Sequence, residues 1–365
     1  MSGVLIVGAG LAGARCAETL RAEGYEGRIV LAGEEPVAPY ERPALSKELL
    51  AGARGLRDLF IRPPGSFAEA DIELRLGVRI ERIDAERRLA WARGEELHWH
   101  SLVLATGARA RTLPGLEGPH VHRLRTLADA VRLRDELRPG LRLAVVGAGF
   151  IGAEAASTAL ARGASVTMIE AAPAPLLRIV GPEVAALLAS RYRAAGVDLR
   201  LGVGVAGLRP DGLLLDDGSE VPCDAVLVGV GAEPAGELVG AGEVLTDDCG
   251  RTALPGVYAC GDVARWAGRR TEHWTSASGQ GIAVARAIAG RPEPFADLPY
   301  FWSDQFGLRL QMVGHADHFA AVELDGDERS FRARFLGVDG RPLAALLANR
   351  PAEVAALRRE LAAAA

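Results

Sequence analysis

The chain has 365 residues, 49% hydrophobic and 24% charged, with 44 glycines, enough for two or three cores and too apolar for a disordered chain. A formal net charge of −5 argues against a nucleic-acid partner, where clustered positive charge supplies most of the affinity. Of 42 cationic residues, 41 are arginine and one, Lys47, is lysine. Cys16, Cys223, Cys249 and Cys260 show neither C-x-x-C nor zinc-ligand spacing, which fits a reducing compartment.

From Met1 the chain enters the strand-like run Val4 to Val7 with no charged leader. No apolar run reaches membrane-spanning length, so a soluble cytoplasmic protein without a membrane partner is expected. Val4 to Gly13 reads VLIVGAGLAG: a strand, a G-x-G-x-x-G loop at Gly8, Gly10 and Gly13, then an alanine-rich helix. A second strand follows at Arg28 to Ala32. Glu34 stands 21 residues beyond Gly13, with Glu35 adjacent and able to take the same role. Leu102 to Gly107 (LVLATG) is a strand ending in a small-residue turn at Thr106 and Gly107, and Gly107 to Gly118 is a Pro/Gly/Arg connector. Thr126 to Arg138 is helical by its apolar positions, with Thr126 as N-cap, and Pro139-Gly140 ends it.

Leu143 to Gly152 then repeats the opening unit as LAVVGAGFIG, with glycines at 147, 149 and 152, a strand at Ser165 to Ile169, and Glu170 placed 18 residues beyond Gly152. Val257 to Ala264 (VYACGDVA) ends a strand on Gly261-Asp262. After a proline-rich stretch, Gly290 to Pro299, strands are expected at Leu308 to Val313, Phe331 to Phe335 and Leu343 to Leu347. A last helix from Pro351 carries Val354, Leu357 and Leu361 on one face.

The three glycines of each loop serve a tight turn, close approach of backbone to a pyrophosphate, and close helix-strand packing. The downstream acid accepts hydrogen bonds from a ribose. Two such units in one chain predict two dinucleotides and a relay between them, hydride transfer from a nicotinamide to a flavin. The turn after Leu104 and Gly261-Asp262 place FAD at the first unit, with Asp262 able to accept from the ribityl chain. The expected fold is α/β: two Rossmann-like dinucleotide-binding domains, for FAD and NAD, plus a small α+β C-terminal domain. Residues 1–112 form the first part of the FAD domain, 113–235 the NAD domain, 236–298 the second part of the FAD domain, and 299–365 the C-terminal domain.

Pro39 to Lys47 (PYERPALSK), Ala105-Thr106-Gly107, Gly147 to Glu154 (GAGFIGAE), Tyr258 to Ala264, His273-Trp274 and Pro299 to His315 (PYFWSDQFGLRLQMVGH) carry a resemblance over essentially the whole chain. The sequence resembles the FAD-dependent pyridine nucleotide-disulfide oxidoreductases, and within them the NADH-dependent ferredoxin reductases that serve Rieske dioxygenases and haem monooxygenases. The resemblance implies FAD and NADH as cofactors. Gly8, Gly10 and Gly13 would hold the FAD pyrophosphate and Glu34 or Glu35 its ribose. Arg42 and Lys47 would lie by the flavin, Arg111 by the FAD, Asp262 at the ribityl chain and Trp274 at the pyrimidine end. Gly147, Gly149, Gly152, Glu170 and Gly231 would serve NADH, and Glu154 would lie near the nicotinamide. The segment after Trp274 departs from the asparagine-containing form common in the family.

Lys47 also stands out without the resemblance, since an ammonium offers a compact charge that a guanidinium cannot copy. Its expected role is to stabilise reduced flavin beside an acid partner; the alternative is a surface lysine retained by chance, and for Glu154 a solvent-facing helix residue. His98, His100, His315 and His318 lack a third ligand, so no metal is expected. The implied partner is a small [2Fe-2S] ferredoxin, or a rubredoxin, docking near Trp302 with Arg62, Arg309 and Arg341 as candidate contacts; the protein itself is expected to be a monomer or weak dimer. Two other functions compete. An NADH oxidase, peroxidase or disulfide reductase needs a cysteine against the flavin, yet none occurs between Cys16 and Cys223. A non-enzymatic redox sensor would share the PxxRPxLSK pattern, but the missing targeting segment counts against it.

Overall fold

The computed structural model describes residues 3–296 and 298–364. Asp297, in the proline-rich stretch, and Ala365, the last residue expected in the C-terminal domain, lie outside the described residues, as does Met1. The chain groups into two units. The first comprises Met1–Glu41, Leu56–Arg109 and Glu233–Asp297; the second comprises Arg42–Gly55, Ala110–Ala232 and Leu298–Ala365.

In the first unit, the β-branched run Gly3–Val7 is buried along its whole length, as a strand covered on both faces must be. It pairs in parallel with Ile29–Gly33 on one side and Glu95–Leu104 on the other. Ile72–Leu76 adds to the outer edge of Ile29–Gly33, and Val257–Ala259 pairs with Glu95–Leu104. The first, second and third strands thus lie in reversed order before the chain crosses to the far side of the first, which is the nucleotide-binding arrangement with its switch point beside Gly3–Val7. Helices Leu11–Ala22 and Trp274–Ile288 pack together, and the approach is close enough that a Cβ on Gly281 would lie 2.4 Å from the Ala12 carbonyl oxygen.

The second unit repeats the plan. Arg142–Val146 sits between Ser165–Glu170 and Ala225–Val228, with Asp198–Leu201 and Val121–His122 at the edges, all parallel. The helix Leu127–Glu136 begins on Thr126, whose hydroxyl accepts from the Asp129 N–H while the Asp129 carboxylate accepts from the Thr126 N–H. This reciprocal cap satisfies two N–H groups the helix start leaves over.

The same unit contains a five-stranded antiparallel sheet in the order Tyr300–Gln305, Leu308–Gly314, Pro342–Ala348, Phe331–Leu336, Ala321–Gly326. Helix Val354–Ala364 packs Leu357 and Leu361 onto Val313, Ala345 and Leu347. Two of these strands escape the sequence reading, for opposite reasons. Ala321–Gly326 is a short edge strand with almost every residue exposed, and its alternation rests on two apolar residues alone, Val322 and Leu324, too few to mark a strand. Tyr300–Gln305 does bury alternate residues, but the buried ones are Ser303 and Gln305, polar where the pattern asks for apolar.

No helix among the described residues is long and apolar enough to cross a membrane. No group of three His, Cys, Asp or Glu side chains among them could hold a metal ion.

Candidate active site

In the first unit the glycine loop is built by contact with its neighbours. Gly8 has φ +115°, and a Cβ there would lie 2.1 Å from the Ala105 carbonyl oxygen, so only glycine lets the loop meet the Thr106-Gly107 turn. A Cβ on Gly13 would lie 2.1 Å from the Gly8 carbonyl oxygen. At Gly10 a Cβ would meet nothing within 4 Å, which marks the open side of the loop. The helix Leu11–Ala22 starts there with no side-chain cap and no acid in its first turn. Its leading N–H groups and positive dipole end are left for an anion, as a pyrophosphate needs.

Around this loop stand the other first-unit candidates. Gly33 packs so closely on Ala9 that a Cβ would lie 2.6 Å from the Ala9 Cβ, which places the strand end bearing Glu34 beside the loop. Glu34 is exposed and 3.3 Å from Arg79, whereas Glu35 accepts a 2.7 Å hydrogen bond from the Tyr40 hydroxyl. Thr106 donates through Oγ1 to the Ala235 carbonyl at 2.6 Å. The Gly261-Asp262 turn abuts the helix start, a Cβ on Gly261 lying 3.0 Å from that of Ala12, and the buried Gln280 pins it by accepting the Gly261 N–H at 2.8 Å. Trp274 opens the helix that carries Gln280.

The second unit's loop has the same construction. A Cβ on Gly147, at φ +101°, would lie 2.5 Å from the Gly229 carbonyl oxygen, and one on Gly152 would lie 2.3 Å from that of Gly147. Helix Phe150–Ala161 begins on Gly149 with neither cap nor early acid. Glu170 accepts N–H hydrogen bonds from Ala148 and Ala172, both at 2.8 Å, so its carboxylate is locked to the glycine loop itself. Gly231 accepts the Arg111 N–H at 3.0 Å. Both units therefore offer the residues a dinucleotide requires.

Lys47 and Glu154 come together in the second unit. The Lys47 ammonium lies 2.7 Å from Glu154 Oε2 and donates to the Pro43 carbonyl at 3.1 Å; its third hydrogen has no acceptor among the described residues, and the side chain is only 12% exposed. Glu154 is 3% exposed, which corrects the alternative of a solvent-facing helix residue. It also receives the Ser46 hydroxyl at Oε2 and the Ser303 hydroxyl, 2.6 Å away, at Oε1. The segment bearing Lys47 is tied to the Glu154 helix by Thr158, which donates to the Ser46 carbonyl at 2.8 Å, and by Arg162, which donates to the Leu50 carbonyl at 2.9 Å. A largely buried ammonium with one carboxylate and one carbonyl partner keeps donor capacity that a cofactor acceptor would fit.

Elsewhere in the second unit, Arg42 donates to the Arg125 carbonyl at 2.6 Å, and Trp302 stacks on Tyr300 with ring centroids 6.1 Å apart. Each proposed docking arginine has an acid within 4.0 Å: Arg62 has Glu18, Arg309 has Asp304 and Arg341 has Asp339. Ser46, Gln280, Ser303, Gln305 and Tyr192 were not singled out from sequence. Ser46, Ser303 and Gln305 lie inside quoted motifs and Gln280 follows His273-Trp274 on the same helix; Tyr192 carries no local signal.

Residues 2–281 match the family described as pyridine nucleotide-disulphide oxidoreductase, and residues 300–365 match the family described as reductase C-terminal. The chain belongs to the pyridine nucleotide-disulphide oxidoreductase family, with the reductase C-terminal domain. It is 38% identical to the p-cumate 2,3-dioxygenase system ferredoxin–NAD(+) reductase component of Pseudomonas putida, covering 98% of this chain and 93% of the relative. It is 35% identical to putidaredoxin reductase of Pseudomonas putida, covering 96% and 89%. The fold superimposes on the reductase in the covalent putidaredoxin reductase-putidaredoxin complex with a TM-score of 0.96 at 34% identity, covering 100% of this chain and 93% of that one.

Proposed function

We propose that this protein is an NADH-dependent ferredoxin reductase, which takes hydride from NADH onto FAD and delivers single electrons to a small [2Fe-2S] ferredoxin of an oxygenase system in the cytoplasm. The observation that carries the reading is the Lys47–Glu154 pair, with donor capacity left on the ammonium, in a chain whose PYERPALSK segment, where the thiol enzymes of the family need a cysteine, has none. All four cysteines are buried. Burial pushes the Cys260 thiol up to about 12 and the Cys223 thiol up to about 11, and it raises Cys16 as well. A thiolate nucleophile at neutral pH is therefore disfavoured at these three positions.

FAD supplies the two-electron acceptance and one-electron release that couple a nicotinamide to an iron-sulfur centre. Its pyrophosphate is assigned to Gly8, Gly10 and Gly13, its ribose to Glu34, and its remaining contacts to Arg42, Lys47, Thr106, Gly107, Arg111, Asp262 and Trp274. NADH is assigned to Gly147, Gly149, Gly152, Glu170 and Gly231. Lys47 places positive charge, Glu154 orients it, and Trp302 shapes the flavin's surroundings. This reading goes with a FAD domain of residues 1–112 and 236–298, an NAD domain of 113–235 and a C-terminal domain of 299–365.

Cytochrome c reduction coupled through a panel of small iron-sulfur proteins tests the proposal. Turnover with a [2Fe-2S] ferredoxin or rubredoxin, insensitive to iodoacetamide, is the expected result. Rapid peroxide or disulfide turnover with no iron-sulfur acceptor at any salt concentration would sink it.

A further inference from the structure

Glu154 is the end of a longer chain of hydrogen bonds. The Tyr192 hydroxyl donates to Gln305 Oε1, Gln305 Nε2 donates to Ser303 Oγ at 2.9 Å, and Ser303 Oγ donates to Glu154 Oε1 at 2.6 Å. The other carboxylate oxygen holds Lys47 and Ser46. Every member is nearly sealed from solvent: Tyr192 and Ser303 are 0% exposed, Gln305 2% and Glu154 3%.

The direction of these bonds carries the argument. A phenol, an amide and an alcohol could be ordered in several ways, yet here each donates toward the carboxylate. Each bond therefore polarises the next, and together they hold the carboxylate at their end in one orientation. The side chains come from three separate elements: the helix Leu177–Ala194, the strand Tyr300–Gln305 and the helix Phe150–Ala161. Burying three polar side chains is costly unless every group is satisfied, and apolar residues would fill the same space more cheaply. The charged and titratable groups facing the carboxylate are Lys47 and, through Gln305, Tyr192. Asp304 alternates to the other face of its strand, where its side chain is 42% exposed, and Arg191 turns its guanidinium to the Phe306 carbonyl. Burial first, and the negative charge of Glu154 second, push the Tyr192 phenol upward, so Tyr192 remains a donor.

We propose that Ser303, Gln305 and Tyr192 are positioning residues: a one-way hydrogen-bond relay that sets the Glu154 carboxylate and, through it, the direction of the Lys47 ammonium. The proposal rests on the reading of Lys47 as the residue that serves the flavin. Its reach is the new element, because it makes a tyrosine three hydrogen bonds from the carboxylate-ammonium pair a determinant of that pair's rigidity.

The single lysine makes the test direct. Holoenzyme grown with nitrogen-15 lysine gives one side-chain ammonium signal, that of Lys47, whose hydrogen exchange with water reports how firmly it is held. In Ser303→Ala the exchange should quicken about tenfold, the scale set by one charge-assisted hydrogen bond. In Tyr192→Phe, which keeps the ring and removes only the hydroxyl, it should quicken by a smaller factor in the same direction. Phe306→Leu alters the ring packed on Tyr192, at 4.5 Å between centroids, without removing a hydrogen bond, and should leave the signal unmoved. An unchanged Lys47 signal in Tyr192→Phe, or an equal change in Phe306→Leu, overturns the relay. Stopped-flow reduction by NADH is read separately: faster exchange at Lys47 with an unchanged reduction rate upholds the relay and overturns the assignment of Lys47 to the flavin.

Discussion

Lys47 and Glu154, 107 positions apart in sequence, meet at 2.7 Å in a site where one is 12% and the other 3% exposed. A buried ion pair is weak support for stability, since the desolvation of both charges offsets their attraction. Glu154 offsets that cost with two further donors, Ser46 and Ser303, and the pair retains an ammonium hydrogen that the protein does not use. Such an arrangement is better suited to placing charge than to holding the fold together.

Lys47→Ala should therefore slow reduction of the flavin by NADH about 100-fold, the scale on which one preorganised charge acts in a water-poor site. The visible spectrum should be largely kept, because the phosphate loops lie elsewhere in the chain. Lys47→Arg should not restore the rate, as the planar fork cannot reproduce a compact ammonium bonded to both Glu154 and Pro43. Stopped-flow traces of the flavin absorbance decide it.

NADH should be preferred to NADPH about 100-fold in kcat/KM, because a 2′-phosphate would meet the Glu170 carboxylate. Glu170→Ala should narrow that ratio from both sides. It removes the repulsion of NADPH, and it releases the N–H groups of Ala148 and Ala172 that the carboxylate holds at 2.8 Å, which loosens the loop for NADH. Steady-state kinetics with both coenzymes in both proteins gives the answer; an unaltered ratio in the variant would remove Glu170 from the specificity site.

Asp224 clamps the start of one central strand of the second sheet to its neighbour. It accepts from the Arg142 N–H at 2.9 Å and pairs with the Arg142 guanidinium at 2.7 Å. These hydrogen bonds hold its carboxyl down at about 2. Because the folded value lies below the unfolded one, the stabilisation is present above roughly pH 4 and is lost as pH falls through about 2. The pair is over a third exposed, so solvent screening keeps its contribution small. Asp224→Asn should lower the urea midpoint slightly at pH 7, and the gap from the parent protein should close between pH 4 and pH 2.

Reduction of the ferredoxin should slow as ionic strength rises past roughly 0.1 M, where the Debye length is about 10 Å. The net charge of −5 would repel an acidic ferredoxin, so encounter requires a local positive face. Arg62, Arg309 and Arg341 each have an acidic neighbour, which makes the expected salt effect moderate. Trp302→Phe should cost less than Trp302→Ala if Trp302 acts by shape. A salt-independent rate would place the docking energy in apolar contact instead.

Much of the site is legible in sequence because its logic is local. The turns at Gly8 and Gly147 need positive φ, and the acid at the end of the following strand falls at a set count from the last loop glycine, so residues within one strand-loop-helix unit announce the role. Thr126 is legible for the same reason, its cap partner Asp129 being three residues away. Lys47 is conspicuous by composition, as the one lysine among 42 cationic residues.

What joins Lys47 to Glu154, and Glu154 through Ser303 and Gln305 to Tyr192, is decided by tertiary structure alone. These contacts span 107, 149 and 113 positions where they cross between elements, and a bond across such a separation leaves no periodic trace in either segment. The helix around Glu154 is apolar on nearly every side, so no polar face shows which way its carboxylate points. The strand Tyr300–Gln305 buries Ser303 and Gln305 where a core strand would bury apolar side chains. By itself the sequence determines two nucleotide loops and an isolated lysine; only the packing of Phe150–Ala161 against Arg42–Gly55 and Tyr300–Gln305 decides that the lysine has a buried carboxylate to hold it, because burial and direction belong to the assembled unit.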